Sequence, residues 1–253
     1  MKVQVLGNFG SRSPGHYTTA LLLNDTFAVD AGTVALMLPI DQQARVDDVL
    51  LTHAHLDHVA DLPFLVDNVF VSRSTPIRVW GPPQVLDVVH KHFFNNQVYP
   101  DFTVIPPGKP AIRLCPLVAG EVAEIAGLKI AWVEMNHTVY AAGYCISDGD
   151  ATILVSGDTT TTEALWRMGR TAVNLKLAFV ETSFPNDMAA LATLSGHLTP
   201  ALLKEELAKL DRPEVPALIS HIKPQFREQI HRELHELGLP QVSILTGGEE
   251  FNL

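Results

Sequence analysis

The chemistry of this sequence is concentrated in one short segment, 53–58, which reads His-Ala-His-Leu-Asp-His. The segment directly follows a short apolar run that is typical of a buried strand. His53 and His55 are two residues apart on extended backbone, so their rings leave the same side of the chain. Asp57 and His58 are neighbours at the start of an expected helix and point in different directions. The loop therefore offers two ligands to one metal ion and two to a second.

Three further residues of ligand type stand where predicted strands end: His137, Asp158 and His221. Open α/β sheets place their ligands at the carboxyl ends of strands, so these side chains can complete the two coordination spheres. Imidazole and carboxylate ligands suit zinc, manganese or iron, and a set without cysteine is typical of a catalytic zinc site. We expect two divalent metal ions, with zinc as the first choice and manganese or iron as alternatives.

The elements that must position these residues alternate between strands and helices. A continuous helix is expected over 57–70, and a hairpin is expected with its turn at 148–150. Thr199 predicts a helix N-cap, with Pro200 at the first helical position. This order of elements indicates an α/β fold with mixed sheets, and the two halves of the chain have similar element orders.

Composition sets the class of protein. The chain has 253 residues, of which 47% are hydrophobic and 18% charged, which excludes an intrinsically disordered chain. No window approaches the roughly 18 continuous apolar residues of a membrane helix. We expect one domain over 1–253. The formal net charge of −10 argues against non-specific binding to nucleic acid or to an anionic membrane.

The two cysteines, Cys115 and Cys145, fall in separate strand-like segments. We expect them to be reduced thiols, because no apolar stretch near the N-terminus has the length of a signal peptide. The expected compartment is the cytoplasm.

Over essentially its whole length the sequence resembles the metallo-β-lactamase-fold superfamily. The resemblance rests on the segment 53–58, on Asp30-Ala31-Gly32-Thr33, on His137, on Ser156-Gly157-Asp158-Thr159 and on Ser220-His221. It implies a four-layer αββα sandwich with two mixed sheets and a dinuclear metal site at the sheet edge. It also implies the metal ligands: His53, His55 and His137 for one ion, Asp57, His58 and His221 for the other, and Asp158 bridging both.

Two more segments, 181–185 and 195–200, resemble those of class II cyclic-nucleotide phosphodiesterases and, less closely, of tRNase Z. In both relatives the residues corresponding to Glu181 and His197 are implicated as a pair beside the metals. A carboxylate can orient an imidazolium and raise its pKa, and the imidazolium can then donate a proton to a leaving oxygen. The expected catalytic residues are Glu181, His197 and Asp57. Asp57 would orient the attacking water.

The resemblance implies a metal-dependent phosphoric diester hydrolase that converts cyclic AMP or cyclic GMP to the 5′-monophosphate through a hydroxide between the metals. The expected partner is a small anionic phosphodiester, and a homodimer is a family-level expectation. Leu56 stands where tRNase Z usually has glycine, which favours the phosphodiesterase. Asp61 also stands where relatives usually carry glycine, and its side chain would narrow the cleft or change how the helix enters.

Three alternatives remain open: a tRNase Z-like endoribonuclease, a lactone or ester hydrolase on the same fold, and a binding domain without catalysis. The acidic charge and the lack of a basic Gly/Pro-rich arm argue against the first. The Glu181 and His197 pair argues against the second, since a lactonase need not carry one. The complete ligand set argues against the third.

Overall fold

The structure is a computed structural model that describes residues 1–253. One sheet has the spatial order β14-β1-β2-β3-β4-β5-β6. Its strands are β1 (Lys2–Gly7), β2 (Ala20–Leu23), β3 (Phe27–Val29), β4 (Asp48–Leu50), β5 (Ile77–Gly81), β6 (Ile112–Pro116) and β14 (Glu250–Asn252).

The other sheet has the spatial order β13-β12-β11-β10-β9-β8-β7. Its strands are β7 (Ala123–Ile125), β8 (Leu128–Glu134), β9 (Ala142–Ser147), β10 (Thr152–Val155), β11 (Leu175–Glu181), β12 (Ala217–Ser220) and β13 (Val242–Ile244). The helices are α1 (Val34–Met37), α2 (Ile40–Gln43), α3 (Leu56–Val59), α4 (Leu62–Val69), α5 (Pro83–His92), α6 (Ala164–Thr171), α7 (Ala189–Leu194), α8 (Pro200–Leu210) and α9 (Arg227–Glu236). Short 3₁₀ turns lie at Asn186–Met188 and Pro224–Phe226.

The two sheets share one pairing pattern. In the first, β14, β1, β2 and β3 pair antiparallel, and β4, β5 and β6 then continue in parallel. In the second, β7 to β10 pair antiparallel, and β11, β12 and β13 continue in parallel. Both sheets are therefore mixed, as predicted, and each half of the chain builds one sheet, except that the final strand β14 crosses to the first.

Three apolar clusters separate four layers. One lies between the first sheet and α1, α3, α4 and α5, one between the two sheets, and one between the second sheet and α6, α8 and α9. Side chains alternate between the clusters: in β2, Leu21 and Leu23 face the other sheet, whereas Leu22 faces the helices. This alternation follows from the period of two in a strand. The predicted αββα sandwich is confirmed.

The helix expected over 57–70 is wrong as a single element, because α3 ends at Val59 and α4 begins at Leu62. Pro63 explains the break. Proline has no N–H to donate, and inside one continuous helix its ring would clash with the carbonyl of residue 59.

Other local expectations are confirmed. The β9–β10 hairpin forms with its turn at 148–150, and the Thr199 hydroxyl accepts a hydrogen bond from the backbone N–H of Leu202 at the start of α8. Cys115 and Cys145 are both free thiols. Burial raises the pKa of the Cys145 thiol to about 11. None of the helices combines the length and the apolar character needed to cross a bilayer.

Candidate dinuclear metal site

The predicted ligands meet where strands from both sheets end. The segment 53–58 follows β4, and the other three residues follow β8, β10 and β12. The structure brings all seven together in two neighbouring groups, and within each group the ligand atoms lie within 4.8 Å of one another. The first group contains His53, His55, His137 and Asp158, and the second contains Asp57, His58 and His221.

The first group has the spacing of a metal site. His137 Nε2 lies 3.1 Å from His55 Nδ1 and 4.0 Å from Asp158 Oδ2. His53 Nε2 lies 3.5 Å from the same carboxylate oxygen. Ligands around a tetrahedral zinc ion are about 3.3 Å apart, given metal–ligand bonds of about 2.0 Å. The four side chains therefore surround a space of suitable size.

The second group has similar spacing. His221 Nε2 lies 3.1 Å from His58 Nε2 and 3.1 Å from Asp57 Oδ2. Asp158 reaches this group as well, because its Oδ1 is 3.4 Å from His58 Nε2 and its Oδ2 is 3.2 Å from His221 Nε2. Asp158 thus borders both groups, as a bridging ligand must.

Two buried polar atoms at this point have no hydrogen-bond partner: His53 Nε2 and Asp158 Oδ1. Leaving a buried polar group unpaired costs about 1–3 kcal/mol. Divalent ions in the two groups would supply the missing partners. The donor types, their spacing and these unpaired atoms fit a divalent metal centre.

A carboxylate behind the second group holds His58 in place. Asp30 Oδ2 accepts a hydrogen bond from His58 Nδ1 at 2.7 Å, which leaves Nε2 facing the group. The backbone N–H and the hydroxyl of Thr52 donate to the same carboxylate. Such partners fix the tautomer and the orientation of a ligating imidazole.

Two more imidazoles that face the site through Nε2 are also held from behind. His137 Nδ1 donates to the carbonyl oxygen of Gly196 at 2.9 Å. His221 Nδ1 lies 2.8 Å from the hydroxyl of Ser183, which accepts its proton. Both contacts leave Nε2 free to face the metal centre.

The two groups differ in electrostatics. Burial lowers the pKa of His53, His55 and His137, and neighbouring imidazoles lower the pKa values of His53 and His55 further, so this group favours neutral rings. Burial by itself would also lower the pKa of His58, but the charges of Asp158 and Asp30 outweigh it, and the pKa is raised. Burial disfavours a charged Asp57, yet the hydrogen bond from His221 and nearby imidazoles hold its pKa well below the ordinary value.

Beside both groups lies the pair expected from the sequence. His197 Nδ1 is 2.8 Å from Glu181 Oε1, and both side chains are buried. Burial disfavours the imidazolium, but the charge and hydrogen bond of Glu181 prevail and raise the pKa of His197. Ser183 joins this pair to the second group, since its hydroxyl donates to Glu181 Oε2 at 3.0 Å. His197 Nε2 makes no hydrogen bond and is not sealed from solvent.

A family model described as the beta-lactamase superfamily domain matches residues 24–222, well over half of the chain and all seven predicted ligands. The chain belongs to the metallo-β-lactamase-fold superfamily. Family membership and the His/Asp groups together identify a metal-dependent hydrolase.

Three proteins that are similar to this metallo-β-lactamase-fold chain are as follows. A "Probable 3′,5′-cyclic-nucleotide phosphodiesterase" of Yersinia pestis is 27% identical, over 90% of this chain and 79% of that protein. A "Ribonuclease Z" of Mycobacterium sp. (strain KMS) is 27% identical over 57% of this chain and 52% of its own length. The crystal structure of unliganded yeast PDE1 superposes with a TM-score of 0.86 at 21% identity, covering 100% of this chain and 99% of that one.

Two glycines in this metallo-β-lactamase fold lie directly against imidazoles of the site. A Cβ on Gly196, which has φ +73°, would come 2.7 Å from His137 Nδ1. A Cβ on Gly10 would come 2.6 Å from the carbonyl oxygen and 2.7 Å from the ring of His221. Contacts this short do not occur in folded proteins, so only glycine allows either ring to take its observed position.

Of the two effects expected of Asp61, the structure excludes a narrowed cleft, and it places Asp61 directly before α4. Its carboxylate does not line the cleft: it is buried, pairs with Arg12 at 3.0 Å and accepts the backbone N–H of Leu36 at 2.9 Å. The roles of Asp30 and Ser183 were not predicted from the sequence. Asp30 ends β3 as the other polar residues end their strands, and Ser183 lies within the segment 181–185, so position was the available signal for both.

Proposed function

We propose that this protein hydrolyses 3′,5′-cyclic nucleotides to nucleoside 5′-monophosphates, with two divalent ions bound by the seven predicted ligands. Zinc is the first choice, because three imidazoles and a carboxylate at tetrahedral spacing suit it. The relatives named as cyclic-nucleotide phosphodiesterases support the substrate class.

The observation that carries the proposal is the Glu181–His197 pair beside the metal groups. A phosphodiester needs a proton on its leaving oxygen, and an imidazolium held by a carboxylate can provide one. Glu181 fixes His197 through Nδ1, so Nε2 is the nitrogen that faces a substrate. An ester or lactone hydrolase has less need for this pair.

The mechanism follows from the roles that these residues can take. Bound divalent ions would act as Lewis acids toward the phosphoryl oxygens and lower the pKa of water toward neutrality. Asp57, half-buried at the mouth of the second group, would accept a hydrogen bond from the attacking water and orient it. The attacking water loses one proton to the solvent, its oxygen forms the new bond to phosphorus, and the bond to the 3′ oxygen breaks. His197 Nε2 gives its proton to that oxygen and regains one from the solvent.

The test is a substrate series on the purified, metal-analysed protein. We expect cleavage of cyclic AMP or cyclic GMP to the 5′-monophosphate, abolished by a chelator and restored by Zn²⁺ or Mn²⁺. If the protein cleaves only bis(p-nitrophenyl) phosphate, it is still a phosphodiesterase, but cyclic nucleotides are not its substrate. A protein with two bound metals that cleaves no diester would refute the proposal and favour an ester or lactone hydrolase.

A tRNase Z-like endoribonuclease is the second candidate, because relatives named ribonuclease Z match part of the chain. The net charge of −10 disfavours a large polyanion, whose binding depends on contacts from basic residues to phosphates. Endonucleolytic cleavage of a precursor tRNA, without cleavage of cyclic nucleotides, would select this candidate instead.

A further inference from the structure

A cavity of about 460 Å³ lies beside the metal groups and contains Asp57 in its wall. Its wall also contains Ser11 and Arg12, from the loop after β1, and Leu56, at the start of α3. Lys223, two residues beyond His221, is part of the same wall. The volume is within the range of about 300–1,000 Å³ that is typical of small-molecule sites.

Lys223 is the uncompensated positive charge of this cavity. Its side chain is half-buried, and its ammonium forms no ion pair. It makes one long hydrogen bond, 3.4 Å to the carbonyl oxygen of Gly10, and lies 5.3 Å from the centre of the Phe184 ring. An ammonium has three donors, so two remain for a ligand. Arg12, the other cation of the wall, is already paired with Asp61.

Lys223 lies close to the residues proposed to act in the reaction. Phe184, under the ammonium, packs against His197 with ring centroids 5.7 Å apart. Asp57, a predicted metal ligand, shares the cavity wall with Lys223. A phosphate bound at the metal centre between His197 and Asp57 would thus face this ammonium.

We propose that Lys223 binds the phosphate group of the substrate, its ammonium donating to a non-bridging oxygen, and that it thereby selects anionic phosphodiesters over uncharged esters. The inference rests on the proposed function and extends it to a specificity-determining residue. In an acidic protein, a local cation at the cleft also offsets the repulsion that a phosphodiester would meet.

A purely structural role for Lys223 makes a different prediction. If the side chain only packs on Phe184 and holds Gly10, Lys223→Met preserves most of the packing and leaves substrate binding unchanged. If the ammonium binds phosphate, Lys223→Met weakens binding, and Lys223→Arg retains much of it. Lys204→Met, on the exposed face of α8, removes the same charge from a remote position and is the matched control.

The experiment compares the metal-loaded wild type with these three variants. We expect Lys223→Met to raise KM for the cyclic nucleotide, and Ki for the 5′-monophosphate, by about tenfold or more, as for other hydrogen bonds to charged groups. Its kcat should change less than its KM, whereas Lys223→Arg should stay within a few-fold of the wild type and Lys204→Met should match it. Unchanged KM and Ki in Lys223→Met would overturn the inference, as would an equal loss in Lys223→Arg and Lys223→Met.

Two further measurements distinguish a loss of phosphate binding from misfolding, from loss of metal and from failure of the proposed function. Metal content and thermal midpoint show whether Lys223→Met is folded and loaded; if it is not, Lys223→Gln replaces it. If the wild type cleaves no cyclic nucleotide, calorimetric binding of the 5′-monophosphate to the metal-loaded protein still tests Lys223. Weaker binding to Lys223→Met then supports the inference although the proposed function has failed, and equal binding refutes the inference as well.

Discussion

The two ligand groups differ in how the protein prepares them, although they share Asp158. In the first, burial lowers the pKa of each imidazole, so the rings are neutral before any ion binds. In the second, the charges of Asp158 and of Asp30 behind His58 raise the pKa of His58 above its ordinary value, so this ring favours a proton. An ion entering the second group must therefore compete with a proton, while the first group is ready to bind.

The largest expected effect comes from the residue common to both groups. Asp158→Asn should reduce the metal content of both and lower kcat/KM by about 10³-fold or more, since the ions supply several kcal/mol of transition-state stabilisation. Elemental analysis and steady-state kinetics measure this, with Asp150→Asn in the exposed β9–β10 turn as a control. Full occupancy in Asp158→Asn would show that it does not bridge the groups.

Removing one ligand from each group should separate them. His55→Ala should lose the first ion and keep the second, and His221→Ala should do the reverse, each losing about 10²-fold or more in activity because one Lewis acid is missing. Metal-to-protein ratios near one are expected for both variants. If either change empties both groups, the two sites are a single cooperative unit and the comparison fails.

His197 should lie outside both groups in function. We expect His197→Ala to keep both ions and lose about 10²–10⁴-fold in kcat, the range of general acid catalysis. A diester with a nitrophenolate leaving group needs little protonation, so its cleavage should fall much less. Loss of an ion from His197→Ala would make this residue a ligand instead.

The residues that hold the ligating imidazoles from behind should each affect the metal affinity of one group only. Gly196→Ala should displace His137 and weaken the first ion about 10–100-fold, and Asp30→Asn should weaken the second ion by a similar factor. Competition with a fluorescent chelator measures each affinity. The comparison is wrong if either variant affects both ions equally.

The smallest effect is a shift in pH dependence. His197 must be protonated to act as an acid, so activity falls as the pH rises through its pKa. Glu181 raises that pKa. Glu181→Gln should therefore lower it and move the basic limb of the kcat profile to lower pH. A basic limb that stays at the same pH would show that it does not report the titration of His197.

The sequence predicted the parts of the site that have a local signal. The segment 53–58 is dense in ligands, and the strand-end residues can be recognised because apolar runs precede them. Whether Ser183 contacts His221, or Arg12 contacts Asp61, depends on how distant segments pack, which no local pattern reports. The same holds for β14, a three-residue strand that depends on pairing with β1 for its stability.

The break between α3 and α4 has a signal in the sequence, although a single helix was predicted. Pro63 lies inside an otherwise helical apolar pattern, and a proline inside such a pattern ends or kinks the helix. The break matters for the site, because α3 alone carries Asp57 and His58 and is free to take its own direction relative to α4.

The order of the ligands along the chain has a consequence for biosynthesis. The first group is complete in sequence once Asp158 has been made, but the second waits for His221, more than 160 residues after Asp57. During translation, the second ion can bind only when most of the chain has left the ribosome. A chain that ends before His221 therefore lacks one ligand of the second group, although it contains every ligand of the first.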